Sequence, residues 1–274
     1  MVKKLILFIL IFPLFLSAKI QVTTYFPLET QFIKKIAKQE VEVAQISHRF
    51  SKSYSELPPS GLKKLSSSKI FFHFGLDIEN DYEKVLKQNN KQIIVVNLSK
   101  NIPKLGSNPY IWMDPFAIKI VAKNIFDSLV EIDIKNQQFY KKNYEEFLNE
   151  IDEAFLTILQ NLNKSKVNSF YAIDDYWDYF ANRFRLEVIK KDKKMFSTNE
   201  LKDLSNTYKN KDTNKLLYCY PKDQNRASTL ARSLNAKPVE NDIFNEDWQT
   251  NLINLSPDFI NGSPKLKIYN ILYF

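Results

Sequence analysis

Side chains that commonly bind metal ions or act as nucleophiles are scarce in this chain. Its 274 residues include two histidines, His48 and His73, and one cysteine, Cys219. His73 lies within the apolar stretch 69–74 and is predicted to be a structural core residue, whereas His48 falls in a loop. Cys219 lies in the apolar run 216–220. It is predicted to be a small buried hydrophobe, because one cysteine cannot form an internal disulfide.

Catalytic arrangements have little support. Asp174 and Asp175 could act as an acid/base pair, and Ser53 could act as a nucleophile. Neither has a neighbouring histidine or a glycine-rich turn in the sequence. Both aspartates follow a predicted strand, where a carboxylate can instead cap the next helix. We therefore expect a binding protein rather than an enzyme.

The first 18 residues have the pattern of a secretory signal peptide. Lys3 and Lys4 precede an apolar core over residues 5–16, and a small-residue cleavage site ends at Ala18. The apolar run is short for a membrane span, which needs about 20 residues. No cysteine lies near the cleavage site. We expect a periplasmic protein that starts near Lys19 and is not a lipoprotein.

The chain is basic but lacks a nucleic-acid-binding pattern. It has 39 basic and 31 acidic residues, a formal charge of +8. The predicted signal peptide holds two of the lysines, which leaves 37 basic against 31 acidic residues and a charge of +6. The lysines are scattered and no arginine-rich stripe with interleaved aromatics occurs, so no nucleic-acid partner is expected.

Strand-like and helical patterns alternate in both halves of the chain. Predicted strands are 19–25, 41–46, 69–74, 92–98, 169–173, 186–190, 215–220 and 237–240, and the tail 265–274 is also strand-like. Predicted helices are 29–39, a short one closing at 62–65, 82–88, 116–130, 176–184, 200–208 and 226–235. Such alternation predicts parallel sheets covered by helices.

A longer helical pattern separates the two halves. From Asn136 to Lys164, apolar residues recur at three- and four-residue steps, which as one helix would span about 43 Å. A helix longer than one lobe needs fits a bridge between two lobes. We predict an α/β protein of two (β/α) lobes with parallel sheets, joined by one long backbone helix. The predicted parts are signal peptide 1–18, N-terminal lobe 19–135, linking helix 136–164 and C-terminal lobe 165–274.

The segment 108–115, NPYIWMDP, is the most informative stretch. Asp114 can cap a helix and Pro115 suits its first turn. The segment resembles the Asp-Pro-His-x-Trp-x-Asp-Pro motif of solute-binding proteins that feed zinc or manganese to bacterial ABC importers. Tyr110 stands where that family has a metal-binding histidine.

Further segments resemble the same family in the same order, over nearly the whole chain after the signal peptide. They are Val22–Leu28, Val41–Val43, Phe74–Glu79, Asp175–Ala181 and Val239–Asp242. The resemblance implies two lobes with a metal ion in the cleft between them. It also implies docking to a permease in the inner membrane.

The family resemblance implies four ligands, two from each lobe. Tyr110 stands at the second position, Asp174 at the third and Asp242 at the fourth. Tyr110 could alternatively pack over the cleft without binding an ion. The family's histidine-rich loop before the second ligand is missing, because residues 99–107 contain no histidine.

The first ligand position stays open in the alignment. Tyr54 or Ser53 falls there, with Glu56 close by, and His48 in the preceding loop could replace them. Of these residues, Tyr54 is our predicted ligand at the first position.

These candidate ligands are hard oxygen donors. Carboxylates suit manganese, calcium or magnesium, whereas zinc prefers imidazole and thiolate. A phenol, with a reference pKa of about 10, binds as phenolate only to a strongly acidic cation such as ferric iron. The cargo is therefore expected to be a divalent or trivalent ion: zinc by family, manganese or iron by ligand type.

The predicted function is the periplasmic substrate-binding component of a metal-ion ABC importer. It would act as a monomer, capture the ion between its lobes and deliver it to the permease. The alternative is a diverged relative that no longer binds metal and binds another small solute or a partner protein.

Overall fold

The computed structural model describes residues 19–50, 53–165, 168–190, 197–208, 214–219 and 223–256. The predicted signal peptide, Tyr220 and the strand-like tail 265–274 lie outside these ranges. Within them, no helix combines the length and the apolar character that a membrane crossing requires.

The first lobe is built on a four-stranded parallel sheet. Its strands are β1 (Ile20–Thr24), β2 (Val41–Gln45), β3 (Ile70–His73) and β4 (Ile94–Asn97), in the order β2-β1-β3-β4. The helices are α1 (Pro27–Ala37), α2 (Pro59–Ser66), α3 (Asp77–Asn89) and α4 (Pro115–Ile132). A short 3-10 turn, Ile111–Met113, precedes α4.

The second lobe repeats this plan. Its strands are β5 (Ser169–Ala172), β6 (Glu187–Ile189), β7 (Lys215–Tyr218) and β8 (Lys237–Glu240), in the order β6-β5-β7-β8. The helices are α6 (Asp178–Phe184), α7 (Thr198–Tyr208), α8 (Gln224–Leu234) and α9 (Trp248–Leu255).

One long helix, α5 (Gln137–Ser165), joins the lobes. It packs against α1 and α4 of the first lobe and against α9 of the second. The predicted fold class, two parallel-sheet lobes joined by a long helix, is confirmed. The domain boundaries proposed from the sequence stay predictions.

Local differences from the predicted elements have identifiable causes. α3 begins at Asp77, five residues before the predicted start, because the buried Glu79 carboxylate accepts a hydrogen bond from Leu76 N (2.7 Å) and closes the first turn. α6 begins at Asp178, since Tyr176 and Trp177 form a turn instead. Capping of that helix by Asp174 or Asp175 was wrong: its N-cap is Trp177, with no side-chain cap.

The predicted cap at Asp114 is confirmed, a second helix has a reciprocal cap, and one helix was missed. Asp114 Oδ1 accepts from Phe116 N (2.8 Å) at the start of α4. Ser197 and Glu200 bond reciprocally at the start of α7. The missed helix is α9, which Asp247 caps by accepting from Thr250 N (3.2 Å).

Candidate functional site

The two sheets place their topological switch points at comparable positions. In the first lobe, β1 and β3 are neighbours, and the chain continues from β1 to β2 on one side and from β3 to β4 on the other. In the second lobe, β5 and β7 are related in the same way, with β6 and β8 at the edges. Ligands of parallel α/β sheets bind beyond the carboxyl ends of strands at such points. Tyr25 and Phe74 follow the first pair, and Asp174 and Cys219 follow the second. Cys219 is buried, as predicted.

Tyr110 lies between the lobes and is 6% exposed. Its ring is 4.7 Å from that of Tyr176 and 6.1 Å from that of Phe244, both in the second lobe. Asn108 fixes the turn, because its Oδ1 accepts from Tyr110 N (2.9 Å) while its Nδ2 donates to Asp175 O (2.6 Å). The structure therefore brings this family-motif position against the second lobe.

The hydroxyls of Tyr110 and Tyr176 are hydrogen-bonded to each other. Burial raises the pKa of both phenols well above the usual value of 10, and nearby negative charge raises it further. For Tyr110 that charge comes first from Tyr176 and then from Asp175 and Asp174, and for Tyr176 it includes Asp174. Both phenols are thus neutral at physiological pH unless a cation offsets these effects. The charge of Asp174 therefore acts on the phenol of Tyr110, and both residues are predicted ligands.

Asp242 is half-buried in the loop that follows β8. Its Oδ1 accepts from Phe244 N (3.0 Å), and its carbonyl accepts from Asn251 Nδ2 (2.9 Å). Burial raises the pKa of its carboxyl group, and the bond from Phe244 partly opposes that effect. The carboxylate is engaged in its own turn, so its role as a ligand stays a prediction.

The candidates for the first ligand are all exposed. Tyr54 is 42% exposed, and its ring lies 4.9 Å from that of Tyr82. Ser53, Glu56 and His48 are also at the surface. Tyr54 lies on the outer side of Tyr82, and its assignment as a ligand stays a prediction.

Aromatic rings fill the space between the lobes, which the sequence reasoning missed. Phe244 stacks on Phe50 with ring centroids 3.8 Å apart and planes 5° from parallel. It also contacts Phe26 and Trp112 at 6.1 and 5.9 Å. The available signal was position: Phe26 follows a predicted strand by one residue and Phe244 follows another by four.

The donor chemistry of any ion site is limited by two observations. Among the described residues, no group of three or more His, Cys, Asp or Glu side chains converges in a way that could hold a metal ion. A site built from these ranges therefore needs tyrosine or backbone oxygen. A cavity of about 450 Å³ reaches Tyr110, with Phe50, Ser99, Lys104 and Asn108 among its walls. Its lining residues all belong to the first lobe, so of the predicted ligands only Tyr110 reaches this space.

Two buried carboxyl groups behind the cleft were not recognised from the sequence. Glu29 and Glu79 are both 0% exposed, and each caps the helix that follows β1 or β3. Burial raises the pKa of Glu29, and the neighbouring Glu79 raises it further through its charge and a shared hydrogen bond. His73 is buried as predicted, with Nδ1 4.0 Å from Glu79 Oε2, and burial lowers its pKa.

Several polar bonds tie the lobes together. Trp112 Nε1 donates to Ile243 O (2.7 Å), and Trp248 Nε1 donates to Trp112 O (2.6 Å). Arg183 forms a bidentate pair with Asp114, at 2.7 and 2.8 Å. Two lobes held in contact around an interior site are the architecture of a two-lobed solute-binding protein.

Comparison with known proteins gives the same class. The family described as "Zinc-uptake complex component A periplasmic" matches residues 22–254. The crystal structure of ZnuA superposes with a TM-score of 0.78 at 24% identity, covering 89% of this chain and 98% of that one. The chain therefore belongs to this family of periplasmic zinc-uptake components.

Two relatives have names that refer to manganese. A manganese-bound mutant of a periplasmic metal binding protein from Candidatus Liberibacter asiaticus superposes with a TM-score of 0.75 at 18% identity, covering 89% of this chain and 100% of that one. The manganese ABC transporter substrate-binding lipoprotein PsaA of Streptococcus pneumoniae is 26% identical over 187 residues, covering 61% of this chain and 60% of PsaA.

Proposed function

We propose that this chain is the substrate-binding component of a metal-ion ABC importer, working in the periplasm as a monomer that is not lipid-anchored. It captures the ion between its lobes and delivers it to a membrane permease. Membership of the zinc-uptake family over residues 22–254 carries the proposal. The name of PsaA, a substrate-binding protein of an ABC transporter, supports the permease as partner.

We propose that Tyr110 and Asp174 bind the ion from opposite lobes. Their electrostatic coupling and the position of Tyr110 against Tyr176 support this pair. Asp242 and Tyr54 are the family-derived candidates for the remaining positions. Oxygen donors of this kind favour manganese or iron over zinc, which prefers imidazole and thiolate.

Elemental analysis and metal titration test the function. Protein purified without chelators is expected to carry one metal ion, and metal-free protein is expected to melt at higher temperature when zinc, manganese or ferric iron is added. A ligand at 100 times its dissociation constant adds about 2.7 kcal/mol of stability. Absence of both bound metal and stabilisation by any of the three ions would contradict the function.

Variants locate the site. Asp174→Asn is expected to lose most of the metal-induced stabilisation, whereas Asp203→Asn, at an exposed position on α7, is the matched control and is expected to keep it. Tyr110→Phe separates two cases. Lost affinity for ferric iron supports phenolate coordination, and unchanged affinity for every ion shows that Tyr110 only packs over the cleft.

A further inference from the structure

Asp223, immediately before α8, is a buried acidic residue to which the family resemblance gives no role. It is 8% exposed, and its Oδ2 has no hydrogen-bond partner. An aspartate at this position normally caps the helix by accepting a backbone N–H. Here the side chain makes no such bond. An unsatisfied buried oxygen costs about 1–3 kcal/mol, and more if charged, so this carboxylate needs an explanation.

The backbone places Asp223 at the switch point of the second sheet. Ala172 of β5 pairs with Leu217 of β7. Asp174 and Cys219 each lie two residues beyond that pair, so they are neighbours across the carboxyl edge of the sheet. Asp223 N donates to Cys219 O (3.0 Å), which holds Asp223 near the end of β7. Asp223 and Asp174 therefore follow two adjacent strands.

Tyr176 links this edge to Tyr110. Its ring lies 4.7 Å from that of Tyr110, and the two hydroxyls are hydrogen-bonded. Asp174 and Asp223 both act electrostatically on Tyr176, in the direction that opposes its ionisation. Tyr176 thus connects the first-lobe tyrosine with the end of β5, two residues after Asp174.

Among the described residues, no three Asp, Glu, His or Cys side chains converge in a way that could hold a metal ion. An ion site that includes Asp174 can therefore contain at most one further carboxylate from these residues. The alignment offers Asp242, whose Oδ1 is already bonded to Phe244 N. The Oδ2 of Asp223 is buried and lacks a partner. The bond from Phe244 leaves the second oxygen of Asp242 available, but only Asp223 has an oxygen that is buried without any partner, so an ion would offset the larger cost there.

We propose that Asp223 is the second carboxylate ligand of the transported ion, beside Asp174 and in the place the family resemblance gives to Asp242. The neutral hydroxyls of Tyr176 and Tyr110 are the remaining oxygen donors, and only a strongly acidic cation such as ferric iron would bind them as phenolates. The inference rests on the proposed function. Oxygen ligands suit hard divalent cations. The preference for manganese over zinc is therefore expected to be greater at this site than at a site built from imidazole ligands.

The test compares Asp223→Asn with Asp242→Asn in the full mature chain. Manganese and zinc are titrated separately into metal-free protein, and affinity and the melting temperature are measured. Asp223→Asn is expected to weaken manganese binding by at least about 100-fold, because loss of groups outside the ligand shell already costs about 10- to 100-fold. Asp242→Asn is expected to keep the wild-type affinity.

The metal-free melting temperatures separate a ligand from a structural residue. Asp223→Asn removes an unsatisfied charge and keeps a residue suited to helix capping, so its metal-free melting temperature is expected to equal or exceed that of the wild type. Wild-type metal affinity in Asp223→Asn, a lowered metal-free melting temperature, or equal affinity losses in both variants would overturn the inference. Failure of the wild type itself to bind any metal would instead remove the proposed function.

Discussion

Phe50 of the first lobe and Phe244 of the second stack face to face, with centroids 3.8 Å apart. Phe244 follows Asp242 by two residues, and its backbone N–H donates to that aspartate (3.0 Å). The Oδ1 of Asp242 therefore holds the turn that carries the ring packed between the lobes beside Tyr110. Movement of the lobes is expected to displace this turn.

Truncation of Phe244 tests how much the stack stabilises the closed arrangement. Phe244→Ala is expected to lower the free energy of unfolding by about 3 kcal/mol, and Phe244→Leu by about 1 kcal/mol, because leucine keeps apolar volume but loses the aromatic pairing. Urea unfolding measures both. Leu156→Ala, at a position 52% exposed on α5, is the control and is expected to change little. Equal effects of all three changes would contradict the role of the stack.

The pair between Arg183 and Asp114 gives a second test. Asp114 is 6% exposed and caps α4, so loss of its partner leaves a buried carboxylate with fewer hydrogen bonds. Arg183→Met is expected to cost about 2 kcal/mol. Arg183→Lys is expected to cost about half of that, because it keeps the charge but loses the bidentate geometry.

The control for this pair is Lys123→Met, which breaks an exposed pair with Asp127 on α4. Exposed pairs one helical turn apart contribute little, so stability is expected to stay close to that of the wild type. If Lys123→Met and Arg183→Met had the same effect in urea unfolding, the buried bidentate pair would have no special importance.

The indole bond from Trp248 to Trp112 O is a third target. Trp248→Phe removes this interlobe donor and part of a side chain that is 5% exposed. The expected cost is about 2 kcal/mol, from the lost hydrogen bond and incomplete packing. The slope of the urea transition is expected to be the same for the wild type and Trp248→Phe, since both expose nearly the same surface on unfolding. An unchanged midpoint would show that the bond contributes nothing to lobe association.

The buried pair of Glu29 and Glu79 predicts a pH effect. Burial, then the charge of Glu79, raises the folded-state pKa of Glu29 above its unfolded value. Its stabilising contribution is therefore complete below the unfolded pKa and is lost as pH rises through the folded pKa. A proton shared between the two carboxyl groups supplies the donor that their buried Oε1 atoms otherwise lack.

Glu79→Gln tests this effect, since an amide donates to Glu29 at any pH. The stability of this variant relative to wild type is expected to be higher at pH 8 than at pH 5, measured by urea unfolding. His73 faces the same group, with Glu83 and Lys87 nearby, and burial lowers its pKa. Glu131→Gln, at an exposed position, is the control. A Glu79→Gln difference that is the same at both pH values would rule out proton sharing.

The sequence predicted the fold well because its signals are local. Apolar runs, helical spacing and the cap at Asp114 specify elements within a few residues of one another. The long helix was predicted within one residue at each end, at Gln137 and Ser165. α9 was missed because Asp247 and Trp248 follow a loop without strong periodicity.

The site was less predictable, because it depends on contacts between residues distant in the chain. The family resemblance drew attention to Tyr110 and to Asp174, whose charge acts on the Tyr110 phenol, and their role as ligands stays a prediction. It could not indicate Tyr176 or Asp223, since neither occupies a ligand position of the family. The residues that follow β5 and β7 come to the same edge only through strand order, which places β5 beside β7.

The order of synthesis gives the contacts of Trp112 a further consequence. Its side chain is 0% exposed, yet Ile243 and Trp248, which bond to it, lie 131 and 136 residues later in the chain. Proteins are made from the N-terminus at about 5–20 residues per second. The first lobe therefore spends several seconds with an uncovered aromatic surface. The nascent chain is most open to aggregation, and most dependent on chaperones, until the turn around Phe244 has emerged.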